Sequence, residues 1–266
     1  MTKDNGAQAL EKARGLLASA DAVCVLSGAG VSAESGVPTF RGEDGLWQSH
    51  SPGDLATPQA FRRDSRLVWE WYEWRRGKIR GCRPNPGHEA LARFALGTRT
   101  VRIVTQNVDG LHEEAARRVA GSGDPSPALP LELHGSIVRV RCTRCSYKVP
   151  HRNPISTATP ENLPSCPVCS ALLRPDVVWF GESLDPAVLA EAFQAAQRSQ
   201  VCLVVGTSAL VQPAASVPLV THEGGGYIIE VNPTPTSLSR LASLSLRGAS
   251  GQVLPALLDG LATAGT

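Results

Sequence analysis

Four of the seven cysteines fall into two pairs, Cys142-x-x-Cys145 and Cys166-x-x-Cys169. Two such knuckles close a tetrahedral thiolate site for Zn²⁺, and four sulfurs leave no coordination position for water. The metal they imply is therefore structural, a staple for a segment with little apolar content of its own. Redox cysteines and a pair of disulfides are the alternatives, and a reducing compartment disfavours the disulfides. Cys24 and Cys202 lie in apolar runs and read as inert core residues, whereas Cys82 has no assigned role.

A second chemistry is carried by glycine. Gly28-Ala29-Gly30-Val31-Ser32-Ala33 directly follows an apolar run and has the Gly-x-Gly-x-x-Ala form of a dinucleotide fingerprint. Glycine permits a tight turn and lets backbone N–H groups approach a pyrophosphate at a helix start; a plain turn is the bland alternative. A dehydrogenase would continue into a second strand ending in an acidic residue about 20 positions on. Here the chain runs Glu34-Ser35-Gly36-Val37-Pro38-Thr39-Phe40-Arg41-Gly42 instead. That departure argues against hydride transfer and for a loop folded over a cofactor, with Phe40 covering a ring and Arg41 meeting a phosphate. Gly206-Thr207-Ser208, after another apolar run, offers N–H and hydroxyl donors to phosphate or ribose oxygens, or forms a simple strand-end turn. In the helical segment Trp69-Glu70-Trp71-Tyr72-Glu73-Trp74-Arg75-Arg76, Tyr72 and Arg75 are three apart and share a face. An Arg75 on a solvated face beside core aromatics is the alternative.

Such groups need a scaffold to position them. Residues 22–26, 101–104, 201–205 and 227–231 are apolar runs without polar alternation, which fits strands buried on both faces. Between them, residues 6–19, 87–96, 108–120 and 186–198 carry helical spacing. Alternating strand and helix predicts an α/β fold, a Rossmann-like parallel sheet with helices on both faces, plus a smaller zinc-ribbon and helical module. The large nucleotide-binding domain is expected from residues 1–41, 81–140 and 176–266, with a cofactor loop and helical module at 42–80 and the zinc ribbon at 141–175.

Lys and Arg number 26 against 24 Asp and Glu, a formal net charge of +2, which excludes the basic excess of most nucleic-acid binders. No apolar run approaches the roughly 20 residues that span a bilayer. The polar start of the chain lacks the pattern of a secretory signal, so a cytoplasmic protein is expected.

Taken together, Gly28 through Gly42, Thr105-Gln106-Asn107-Val108-Asp109-Gly110-Leu111-His112, Leu133-His134-Gly135-Ser136 and the cysteine pairs resemble the sirtuins, the NAD-dependent protein lysine deacylases. Val177-Val178-Trp179-Phe180-Gly181-Glu182, Gly206-Thr207-Ser208 and Val231-Asn232 extend the likeness in family order over nearly the whole chain. The resemblance implies NAD as cofactor, bound through Gly28, Ala29, Gly30, Glu34, Phe40, Arg41, Gln106, Asn107, Asp109, Gly206, Thr207, Ser208 and Asn232. It implies that Asn107 orients the ribose and a water, that Asp109 holds the nicotinamide carboxamide, and that Asn232 meets the adenosine ribose. His134 matches the general base that deprotonates a ribose hydroxyl, a task suited to an imidazole whose ordinary pKa is close to working pH. His112 reads as structural.

Tyr72 and Arg75 resemble the Tyr-x-x-Arg pair of class III sirtuins, which remove succinyl, malonyl and glutaryl groups. A buried carboxylate needs such charge-assisted donors. Val178, Phe180, Gly181 and Glu182 match the segment that receives the substrate as an extended peptide by strand pairing. The implied activity is removal of acidic acyl groups from protein lysines, with release of nicotinamide and O-acyl-ADP-ribose; the partners are acylated proteins, with neither nucleic acid nor membrane. Rival readings are a deacetylase or a protein ADP-ribosyltransferase on the same fold, and further off a zinc-ribbon nucleic-acid binder or a dehydrogenase.

Overall fold

An apolar side chain at every position of a strand can be satisfied only between two packed layers. The computed structural model describes residues 3–39 and 52–262, and it places all four apolar runs in one such sheet. In chain order the strands are β1 (Ala22–Ser27), β2 (Thr100–Thr105), β3 (Leu131–Glu132), β4 (Gly135–Cys142), β5 (Lys148–Pro150), β6 (Leu173–Val177), β7 (Val201–Val205), β8 (Tyr227–Val231) and β9 (Leu244–Leu246). The large sheet has the order β3-β2-β1-β7-β8-β9 and is parallel throughout. At its centre, Val23 pairs with Val101 on one side and Val201 on the other.

Helices cover both faces. Lys3–Ser19, Pro86–Ala95, Leu111–Ala120 and Ser250–Leu258 supply Leu17, Leu91, Phe94, Ala115 and Leu254 to a core with Val25, Ile103 and Leu203. Pro186–Arg198 and Val217–Glu223 cover the opposite side chains, among them Leu26, Val204, Cys24 and Cys202. The last two are fully buried neighbours in register, as inert core cysteines should be. Cys82 is also buried and its thiol donates to the Lys78 carbonyl at 3.4 Å, closing the C-terminal turn of a helix.

A second, antiparallel sheet of order β5-β4-β6 shares one core with the helices Pro58–Arg63 and Ser65–Arg80. The longer helix starts where the Asp64 carboxylate accepts the Leu67 N–H at 2.9 Å, satisfying one orphan donor of its first turn. It buries Trp69, Tyr72 and Arg75 together. The Trp69 indole donates to the Leu173 carbonyl at 2.9 Å and so ties the helix to β6. Among the described residues, no helix is long and apolar enough to cross a membrane.

Candidate active site

In an open parallel sheet, ligands bind beyond the carboxyl ends of the strands where the order reverses, here between β1 and β7. The glycine turn after β1 packs directly on the turn after β7: Gly28 N–H donates to Val205 at 3.0 Å and Gly30 N–H to Gly206 at 2.7 Å. A Cβ on Gly30 would lie 2.8 Å from the Gly206 backbone, and one on Gly28 2.6 Å from Thr207 Cβ, so only glycine permits this approach. Gly206 itself has φ +59°, a left-handed conformation. The helix that follows is a single turn, Gly30–Ala33. Among the described residues, the Ala29 and Thr207 amides keep their N–H groups unspent at this junction. Two unspent amides on converging turns are what an anionic oxygen requires.

Beyond β2, the chain delivers Gln106, Asn107 and Asp109 to the same edge. Gln106 Nε2 donates to Thr207 Oγ1 at 2.9 Å, bridging two strand ends. Asn107 and Asp109 are both buried and are joined through Ser32, which the Asn107 amide reaches at 3.1 Å and whose hydroxyl donates to Asp109 Oδ2 at 2.8 Å. The other Asp109 oxygen accepts the Leu111 N–H at 2.9 Å. Burial pushes the Asp109 carboxyl up, and these two donors oppose that rise.

His88 closes the network. The Asn85 N–H contacts its Nδ1 at 3.3 Å, so Nδ1 accepts and Nε2 carries the hydrogen toward Ser32, 3.3 Å away. Burial holds His88 neutral, well below the usual imidazole range. His112 lies beneath, its Nε2 2.8 Å from Ser27 Oγ, with burial lowering its pKa to about 4. Ser32 and His88 escape sequence reasoning. Ser32 sits inside the glycine motif, which is the one signal that can single it out.

His134 occupies the short link between β3 and β4. Its Nδ1 lies 3.0 Å from the Gln106 carbonyl, which can only accept, so Nδ1 bears the hydrogen and Nε2 is the basic nitrogen. Burial lowers its pKa, opposed by that bond. Its backbone carbonyl accepts the Val178 N–H at 2.9 Å, which fixes the segment after β6 beside it. That segment is a tight turn: Gly181 has φ +84°, and Phe180 stands half exposed with its N–H on the Ala56 carbonyl at 2.9 Å.

The remaining candidates are spread around this centre. Glu34 accepts the Gly251 N–H at 2.6 Å at the start of the last helix. Asn232, just past β8, donates to the Thr234 carbonyl at 3.1 Å, and Ser208 is exposed. The Glu182 carboxylate is held by Arg174 at 2.6 Å and 2.9 Å, by Arg141 at 3.1 Å and by the Trp179 N–H at 2.8 Å. Phe40 and Arg41 lie outside the described residues. Tyr72 and Arg75 are buried together, and the Arg75 guanidinium sits 4.8 Å from the Trp71 ring and 5.7 Å from the Tyr72 ring.

In the small module, the sulfurs of Cys142, Cys145, Cys166 and Cys169 all lie within 4.8 Å of one another, with separations of 3.5, 3.6 and 3.7 Å for three of the pairs. Zn–S bonds of about 2.3 Å require tetrahedral edges of roughly 3.8 Å, so the set fits Zn²⁺ and no disulfide. The Arg144 and Cys145 N–H groups reach Cys142 Sγ at 3.3 and 3.4 Å, which favours a thiolate there.

The sequence model of the Sir2 family matches residues 28–213, from the glycine turn past the end of β7. The NAD-dependent protein deacylase of Pyrococcus furiosus is 46% identical over 246 residues, 92% of this chain and 94% of its own. That of Aeropyrum pernix is 50% identical over 239 residues, 89% of this chain and 91% of its own. A crystal structure of a Sir2 homolog–NAD complex superposes with a TM-score of 0.84 at 46% identity, covering 94% of this chain and 93% of that one. The glycine junction, the basic nitrogen of His134 and the four thiolates thus stand on a framework shared almost end to end, and the chain belongs to the Sir2 family.

Proposed function

We propose that this chain is an NAD-dependent protein lysine deacylase whose acyl pocket takes acidic groups of the succinyl, malonyl and glutaryl class. NAD supplies an electrophilic ribose carbon as its pyridine leaves and a ribose hydroxyl on which the acyl group ends. The chain's own residues do the rest. The unspent Ala29 and Thr207 amides bind phosphate oxygens at the β1–β7 junction. Asp109, held by Ser32 and Leu111, accepts the carboxamide hydrogens, and Asn107, buried beside it, orients the ribose. His134 Nε2 takes the hydroxyl proton, and because Nδ1–H is anchored on the Gln106 carbonyl the ring cannot turn its basic nitrogen away. A peptide lying along the turn after β6 would bring its modified lysine past Phe180 to this edge. The four thiolates hold Zn²⁺ in a structural role.

The observation that carries the acyl preference is the joint burial of Tyr72 and Arg75 on one helix face. Burial raises the Tyr72 phenol, so its hydroxyl stays protonated, and a guanidinium stays charged. A carboxylate entering beside them meets a cation and a donor, whereas an acetyl group leaves that polar pair unmatched. A panel of peptides bearing acetyl, succinyl, malonyl and glutaryl lysine, read by mass spectrometry with and without NAD, tests this. Acidic acyl loss that requires NAD is expected, and Arg75→Met should reduce it by about 100-fold while deacetylation changes far less. Equal losses on both substrates would remove the role assigned to Arg75.

A further inference from the structure

Trp179 stands between the acyl pocket and the zinc module. Its indole Nε1–H donates to the Tyr72 hydroxyl oxygen at 2.9 Å, across 107 residues of chain. An indole N–H can only donate, so it fills a lone pair of the Tyr72 oxygen and cannot take the phenolic hydrogen. Among the described residues this is the one hydrogen bond of the Tyr72 hydroxyl. The hydrogen is left over, in a buried position near the Arg75 guanidinium.

We infer that Trp179 is a specificity-determining positioning residue, fixing the polarity of the Tyr72 hydroxyl so that it offers a hydrogen, and not a lone pair, to the acyl carboxylate. The inference rests on the acidic-acyl reading and adds to it the group that makes Tyr72 a donor. Without the indole N–H, a rotating hydroxyl presents a lone pair as readily as a hydrogen, and a lone pair repels a carboxylate. With it, the two bonds run in one direction and each strengthens the other.

The indole is held in place. The Arg174 guanidinium lies 3.2 Å from its ring centroid, and Phe61 stacks at 5.3 Å with a 39° tilt. Glu182 ties the same assembly together, accepting the Trp179 backbone N–H at 2.8 Å while bound to Arg174 through two hydrogen bonds of 2.6 and 2.9 Å. A cation on the ring face draws electron density from the indole and makes its N–H a stronger donor. Arg174 comes from β6, so a strand of the zinc module sets the electronics of a residue that faces the acyl pocket.

The test is a double-mutant cycle on the ratio of kcat/KM for succinyl over acetyl peptide, using wild type, Trp179→Phe, Tyr72→Phe and the double variant. Trp179→Phe should lower that ratio by about tenfold, chiefly through KM for the succinyl peptide. In the Tyr72→Phe background it should lower the ratio no further. Equal losses on both peptides would mark Trp179 as structural only, and an additive double variant would show that it does not act through Tyr72; either overturns the inference. A wild type with no preference for acidic acyl groups overturns the acyl reading and this inference together, a distinct result. Should Trp179→Phe not fold by circular dichroism, 3-benzothienylalanine at position 179 replaces N–H with sulfur in nearly the same shape, with the same expected and overturning outcomes.

Discussion

His134 is oriented by a main-chain oxygen and not by a carboxylate, so its basicity is set mainly by burial. As the proposed general base, His134 acts through its neutral ring, and burial places its pKa below the ordinary 6.5. Activity should therefore fall as pH drops through a midpoint under 6.5, and kcat/KM for an acyl peptide against pH measures it. An acid limb centred a unit or more above that value would contradict the assignment. His134→Tyr should abolish turnover with the circular dichroism spectrum unchanged. This residue was legible in the sequence because a motif surrounds it, and the cysteines because their spacing is itself the signal. Ser32 was not. Its role comes from Asn107 and Asp109, 75 and 77 residues away, and no local pattern announces a meeting of that kind. Trp179 is hidden for the same reason: nothing next to it in sequence says that its N–H is spent on Tyr72.

Among the elements, β1 and β7 could be read from unbroken apolar runs, and β2 and β8 from runs that a single charge interrupts, Arg102 and Glu230, because both faces of each are covered. β6 could not. Leu173-Arg174-Pro175-Asp176-Val177 carries two charges and a proline yet is buried throughout. Arg174 is matched by Glu182 and Asp176 by Arg139 at 2.9 Å. Pro175 pairs with Val140 and lies two residues on from Leu173, whose N–H donates away from β4 to the Pro164 carbonyl at 2.8 Å, so its missing N–H costs the β4 ladder nothing. The glycine junction was legible as a turn, but its depth was not. Gly206→Ala places a methyl 2.4 Å from the Val31 nitrogen at φ +59°. It should cost about 2 kcal/mol or more in urea denaturation and weaken NAD binding measured by calorimetry. Unchanged stability and affinity would mean that the two turns do not pack as described.

At the scale of the whole molecule, the two sheets have separate cores. The metal acts on the smaller one, where Cys142 pairs with Leu173 at one end of β4 and β6. One Zn²⁺ per chain is expected by elemental analysis. Removing it with a chelator, or replacing Cys166 with serine, should split thermal unfolding into two transitions, the earlier belonging to the small module, and abolish peptide turnover while NAD still binds. A single transition at an unchanged Tm would deny the metal its role. The strand order carries a further cost. Val23 must wait for Val201, far later in the chain, to be synthesised before its strand has neighbours on both sides. On the ribosome, the nascent product displays an apolar β edge until Val201–Val205 is out, so chaperone demand should peak before that strand emerges and fall once it has.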